Sequence, residues 1–233
     1  MWIALALALG GGFGVLAYLD AQEAARQQEA RRAREERRRA RERQRAEVLR
    51  AAREESRRVV PEILEGVAIG MGIEELRAVR RAARGSDVER RAAERWFEET
   101  LSNGAQVLYG FTDDRLVMLQ VLSRIDPRGV GPHLTAMRER YGTPTGVYRC
   151  SAQSAAGVPT LRFLWRRSHL TVQDIFLIHA GGVSVTLYIA PTDRVAGSLQ
   201  VAGCRPVRSR EELGELPFAT PEMLEGRETP GRR

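Results

Sequence analysis

Eighteen residues, Trp2 to Leu19, carry no charge, and Asp20 ends the run. As a helix they reach about 27 Å, the short end of what crosses a bilayer core. Trp2 and Tyr18 stand near the two ends, where amphipathic rings favour the membrane interface. No basic region precedes the run and no good small-x-small cleavage site follows it, so it reads as a retained anchor over 1–19. Gly10 and Gly14 lie four apart, a spacing that lets two membrane helices approach closely and makes a homodimer through the anchor a candidate.

The next forty residues have neither Gly nor Pro. Residues 20–60 hold 14 Arg and 9 acids among Ala and Gln, all helix-compatible. Acid–base pairs recur at helical spacing: Glu35–Arg39, Arg38–Glu42, Arg31–Glu35, Arg43–Glu47 and Glu54–Arg58. A coiled coil needs large apolar a and d positions, and these are absent until Val48 and Leu49. The stretch reads as a solvated charged helical stalk that Pro61 ends.

Most of the +7 net charge sits in that stalk, so the rest of the chain is close to neutral. That disfavours nucleic acid as a partner of the globular part. Every basic residue is Arg, which matches a general preference for Arg, Ala and Gly and gives no single arginine a role.

Residues 61–204 carry the signals of an α+β head. Ile73, Leu76 and Val79 make one helical face. Ser86 and Glu89 form a capping-box pattern, and Val88, Ala92, Trp96 and Leu101 with Phe97 predict a second helix. Two β-prone runs flank Asp113–Asp114 as a hairpin, with Val107, Tyr109 and Phe111 on one side. Leu134, Met137 and Tyr141 predict another helix, stopped at Gly142. Three strands follow, the first with Leu161, Phe163 and Trp165 in alternation, the second turned into the third at Gly181–Gly182. Expected is an antiparallel sheet with helices on one face, preceded by a transmembrane helix and the long charged helix. Trp96 and Trp165 are predicted core residues. The head is expected to fold without the stalk, and the Pro-rich tail 205–233 to be mostly unstructured.

The segments "IGMGIEELRAV" (69–79) and "MRERYGTPTGVY" (137–148) resemble the small outer-membrane-assembly lipoproteins of the SmpA/OmlA type and the related β-lactamase-inhibitor-like fold. The likeness covers residues 66–190 as two half-units, each a Gly-Met or Gly-x-Pro marked helix followed by strands. The chain departs from the family in lacking a lipobox cysteine and in lacking the Gly-x-Pro exit from its first unit. The resemblance implies a protein-binding module of the cell envelope.

No catalytic, cofactor-binding or metal-ligating set is legible, and no enzyme activity is expected. Cys150 and Cys204 match no metal spacing; two reduced thiols are the default, and a disulfide the alternative in an oxidising compartment. His133, His169 and His179 are scattered. Asp113–Asp114 suits a turn better than a metal. Asp174, inside an apolar strand with Val172 and Phe176 on its side, is expected to face solvent, or a partner.

The expected function is that of a membrane-anchored, non-enzymatic interaction or scaffold protein. The alternatives are an anionic-surface or nucleic-acid binder working through the stalk, an envelope-assembly module, and last a tethered enzyme. Arg26, Arg31, Arg32 and Arg34 follow the anchor and no Arg precedes it. By the positive-inside rule this predicts the amino terminus outside and the head cytoplasmic in a bacterial inner membrane, with a periplasmic head as the alternative.

Overall fold

A computed structural model describes residues 2–85, 94–150, 160–179 and 182–208, with Glu212; side chains of the first helix are described from Arg26 onward. Two compact units divide the chain, Met1–Glu47 and Val48–Arg233.

Helix α1 runs Trp2–Val59 without a break, as the absence of Gly and Pro after residue 14 allows. From Arg26 to Glu47 every side chain is exposed. Of the predicted pairs, Glu35–Arg39 (2.8 Å) and Arg38–Glu42 (3.7 Å) are in place. Among the described residues no helix is long and apolar enough to cross a membrane. The proposed anchor's side chains, and any contact through Gly10 and Gly14, lie outside the described residues.

The second unit is built on one nine-stranded antiparallel sheet, ordered β1-β2-β3-β4-β8-β7-β6-β5-β9. Its first half comprises α2 (Ile73–Val79), β1 (Arg84–Gly85), β2 (Glu94–Thr100), β3 (Gln106–Thr112) and β4 (Arg115–Ile125). The second comprises α3 (Val130–Tyr141), β5 (Gly146–Cys150), β6 (Thr160–Arg166), β7 (Leu170–His179) and β8 (Gly182–Pro191). Helix α4 (Thr192–Val201) and β9 (Cys204–Pro206) complete it. A helix followed by an antiparallel meander thus occurs twice, and the two meanders join at β4 and β8, with Val121 opposite Leu187. The α+β class and the antiparallel sheet agree with the sequence reading.

Two details differ from it. The predicted helix through Trp96 and Leu101 is strand β2 where it is described; Ser86 and Glu89 lie outside the described residues. Trp96 packs on one side of the sheet and Phe97 on the other. Adjacent aromatics buried on opposite sides, Trp96 and Phe97, break the alternation that marks a half-exposed strand and mimic a helix. The helices likewise do not share one face. Leu76 of α2 and Leu134, Met137 and Tyr141 of α3 join the larger core, with Tyr109, Phe163, Trp165 and Phe176. Val195 and Leu199 of α4 pack on the opposite side with Trp96, Leu164, Tyr188 and Ala190. Trp96 and Trp165 are both buried, at 5% and 1% exposure.

Between the hairpin strands, Asp113 and Asp114 take φ of 51° and 56°, the left-handed pair of a tight turn that Asp tolerates. Gly142 ends α3, as predicted, at φ 78°. Gly182 opens β8, and Gly181 lies outside the described residues. The tail's first two residues, Arg205 and Pro206, belong to β9; from 213 onward the tail lies outside the described residues.

The expected head boundary at residue 61 moves to Val48. Ala52, Ser56, Val59 and Val60 are buried in the larger core region. Ser56 Oγ donates to the Ala52 carbonyl (2.7 Å) and accepts from the Ile69 N–H (3.0 Å). Tyr141 Oη donates to the Val59 carbonyl (2.8 Å), and Arg140 donates to that of Val60 (2.7 Å). The Glu55 carboxylate accepts the N–H groups of Ser168, His169 and Leu170 at 2.8–3.1 Å, holding the β6–β7 turn. Gly70 (φ +88°) admits this helix end, because a Cβ there would sit 2.9 Å from the Leu49 carbonyl oxygen. Small or short side chains give this contact its closeness, which is why hydrophobic patterning passed over it.

Candidate interaction face

Every strand of the central sheet alternates between two sides, and the side away from α2 and α3 is only partly covered. Helix α4 lies over Ala190, Leu164 and Tyr188. Beyond it, one row across the sheet runs Tyr148 (β5), Arg162 (β6), Ile175 (β7), Thr186 (β8) and Leu122 (β4), each opposite the next in register. All five are half-buried. Tyr148, Ile175 and Leu122 rest against the smaller core and present their outer edges to solvent.

The polar groups of this side are unevenly satisfied. Arg194 of α4 donates to Glu94 of β2 at 2.6 Å. Burial raises the Tyr188 phenol above its ordinary pKa, against the lowering pull of Arg194. Thr171 and Thr192 share a hydroxyl–hydroxyl bond of 3.1 Å. Arg162 Nε and both amide atoms of Gln173 are buried with no hydrogen-bond partner. Sequence reasoning missed Arg162 and Gln173. Arg162 is one of 37 basic residues, and only strand register shows that it shares a side with Gln173 rather than with Phe163.

On the opposite side, Asp174 does not face solvent or a partner surface as expected. It is 0% exposed beneath α3, with Oδ2 2.8 Å from His133 Nε2. Its Oδ1 has no partner. Burial raises the Asp174 pKa, with His133 opposing. Burial also works against charge on His133, but the hydrogen bond and charge of Asp174 outweigh it and its pKa is raised. The pair has the acid and the imidazole of a proton relay, yet among the described residues no hydroxyl or thiol hydrogen-bonds to His133. A second cluster, Arg80 Nε to Glu99 Oε1 at 2.8 Å with Tyr109 Oη donating to the same carboxylate, buries the acid within the first half and ties the end of α2 to β2 and β3.

Cys150 and Cys204 face each other across β5 and β9 and are disulfide-bonded, so neither presents a thiol. Among the described residues no three His, Cys, Asp or Glu gather as a metal site. His169 lends its backbone N–H to Glu55, and His179 meets Ser184 Oγ at 3.0 Å. Asp114 pairs with exposed Arg95 at 3.1 Å. In the first unit, Arg34, Arg37, Arg38, Arg41 and Arg45 line one open groove of α1 together with Glu42.

No protein-family profile, curated protein or solved structure matches this chain.

Proposed function

We propose that this chain is a membrane-anchored, non-enzymatic interaction protein that docks a partner protein on the row Tyr148–Arg162–Ile175–Thr186–Leu122. The carrying observation is that this row is half-buried and mixed in polarity at the centre of the sheet, where strands otherwise pack against helices. Cores of docking surfaces combine aromatic and aliphatic anchors with an Arg. The uncharged run 1–19 serves as the anchor and the exposed charged part of α1 as the stalk. A homodimer forms through Gly10 and Gly14. The likeness of residues 69–79 and 137–148 to envelope-assembly modules is the sequence ground for a protein-binding role.

For the head we favour the outer side of a bacterial inner membrane. The Cys150–Cys204 disulfide supports that side, because such bonds persist in oxidising compartments. The arginines after the anchor support a cytoplasmic head instead. Asp20, Glu23 and Glu29 lie among them, and the first Arg comes only at residue 26. Alkaline phosphatase and a fluorescent protein fused separately to the carboxyl terminus decide between the two. Phosphatase activity with a dark fluorescent fusion is expected, and the reverse would return the head to the cytoplasm.

A photo-crosslinking residue at Thr186 tests the docking face in cells. It should give a discrete adduct that the same residue at exposed Glu139 does not. A second reading, contact with an anionic surface through the stalk, is favoured only by the five-arginine groove. Salt-insensitive partner binding by the full chain would remove it.

A further inference from the structure

Arg162 stands second in the proposed docking row with Tyr148 and Ile175 directly beside it on the neighbouring strands. Among the described residues no carboxylate pairs with it. The titratable group it faces is the neutral phenol of Tyr188. Tyr188 in turn leans on Arg194, whose own acid is Glu94, so the only nearby carboxylate is already engaged. Gln173, opposite Leu164 and Tyr188, is the diagonal neighbour of Arg162 on this side. Long side chains at that separation touch.

Both groups are left in a costly state. An amide buried without partners loses its hydration and recovers nothing. A desolvated cation without a counter-charge is worse. The guanidinium cannot escape by shedding its proton. Folds keep nearly all buried polar atoms bonded, so two adjacent orphans, Gln173 at 0% exposure and Arg162 at the open row, ask for a missing partner.

We infer that Arg162, with Gln173 beside it, is the subsite for a carboxylate side chain carried by an apolar segment of the partner protein. A carboxylate supplies the missing negative charge and accepts a forked pair of N–H groups from the guanidinium. Tyr148, Ile175 and Leu122 meet apolar residues on either side of that acid. Gln173 is 0% exposed in the free head, so its Nε2 reaches the carboxylate only when the side chains above it move aside on docking. This inference rests on the reading that the row is the docking face.

The test uses the full chain in detergent micelles and two probes, N-acetyl-Leu-Glu-Leu-amide and its Leu-Gln-Leu counterpart, followed to millimolar concentration by the backbone amide resonances of Tyr148 and Ile175, with the Arg162 Nε–H resonance added wherever Arg162 is present. The Glu probe should shift these resonances and bind at least tenfold tighter than the Gln probe. Gln173→Leu should weaken the Glu probe severalfold and leave the Gln probe unchanged. Arg162→Met should abolish the preference and melt at or above the native protein, since it removes an unpaired cation while keeping the stem. Indistinguishable binding of the two probes, or a fall in melting temperature of more than about 5 °C in Arg162→Met, overturns the inference.

The Thr186 crosslink separates the two levels of reading. An adduct lost in Arg162→Met supports both. An adduct undiminished there sinks the carboxylate subsite and leaves the docking face standing. No adduct in the native protein removes the face and the subsite together.

Discussion

Removing residues 48–60 tests whether the end of α1 is part of the head. Val59 and Val60 are 2% and 8% exposed, and a buried valine contributes roughly 1.5–3 kcal/mol. The Glu55 carboxylate accepts three backbone N–H groups. Bonds to a charged group are worth about 1.5–3 kcal/mol each, and half-exposure puts these at or below the low end. Ser56, Tyr141 and Arg140 add further bonds across the same contact. Helix propagation through Ala, Arg and Glu is close to neutral, so ordering these residues offsets little of this. The net loss is about 5 kcal/mol or more, against a typical total of 5–15 for a domain. Fragments 48–233 and 61–233 should therefore differ sharply in a urea titration followed by near-ultraviolet circular dichroism. The shorter one is expected to show no cooperative transition, or one weakened by that amount. Midpoints that agree to within about 1 kcal/mol would refute the reasoning. Glu55→Gln in the longer fragment isolates the turn contact and should cost about 1–2 kcal/mol.

Other outcomes follow from single contacts. His133 has a raised pKa in the fold, so its contribution is full below the unfolded value near 6.5 and is lost as pH rises through the folded value. The raised Asp174 acts in the same direction, its contribution being lost as pH rises from the unfolded value near 3.8 toward its raised folded value, so urea stability should fall with rising pH and Asp174→Asn should flatten that slope. Reducing the Cys150–Cys204 bond, which spans a sequence separation of 54, should cost about 4 kcal/mol on the chain-entropy estimate, read as a lower melting temperature with reductant that the double Ser variant reproduces. Gly70→Ala must hold φ near +88° and place a methyl 2.9 Å from the Leu49 carbonyl oxygen, so a loss of about 2–4 kcal/mol is expected in a thermal melt; an unchanged midpoint would mean that the helix end does not pack there.

The sequence by itself determined the elements whose signals are local. The unbroken helix follows from a run without Gly or Pro, the hairpin from Asp113–Asp114, the α3 stop from Gly142, and β6 from the alternation of Leu161, Phe163 and Trp165. Each depends on residues within a few positions of one another. Tertiary structure alone decided what depends on which faces become covered. Strand β2 hides as a helix because its adjacent aromatics Trp96 and Phe97 are buried on opposite sides, and α4 escaped notice because only Val195 and Leu199 mark its inner face. Asp174 lies under α3 because His133, 41 positions away, arrives to meet it. The end of α1 joins the head through Ala52, Ser56 and Glu55, small or polar residues that hydropathy counts as solvent-facing. The candidate face is of the same kind. Arg162 and Gln173 look ordinary in the chain, and only the pairing of β6 with β7 and β8 makes them neighbours without partners. Periodicity in a sequence reports which side of an element a residue occupies; what lies against that side is set by contacts between segments far apart in the chain, and a buried polar group's meaning depends on that second fact.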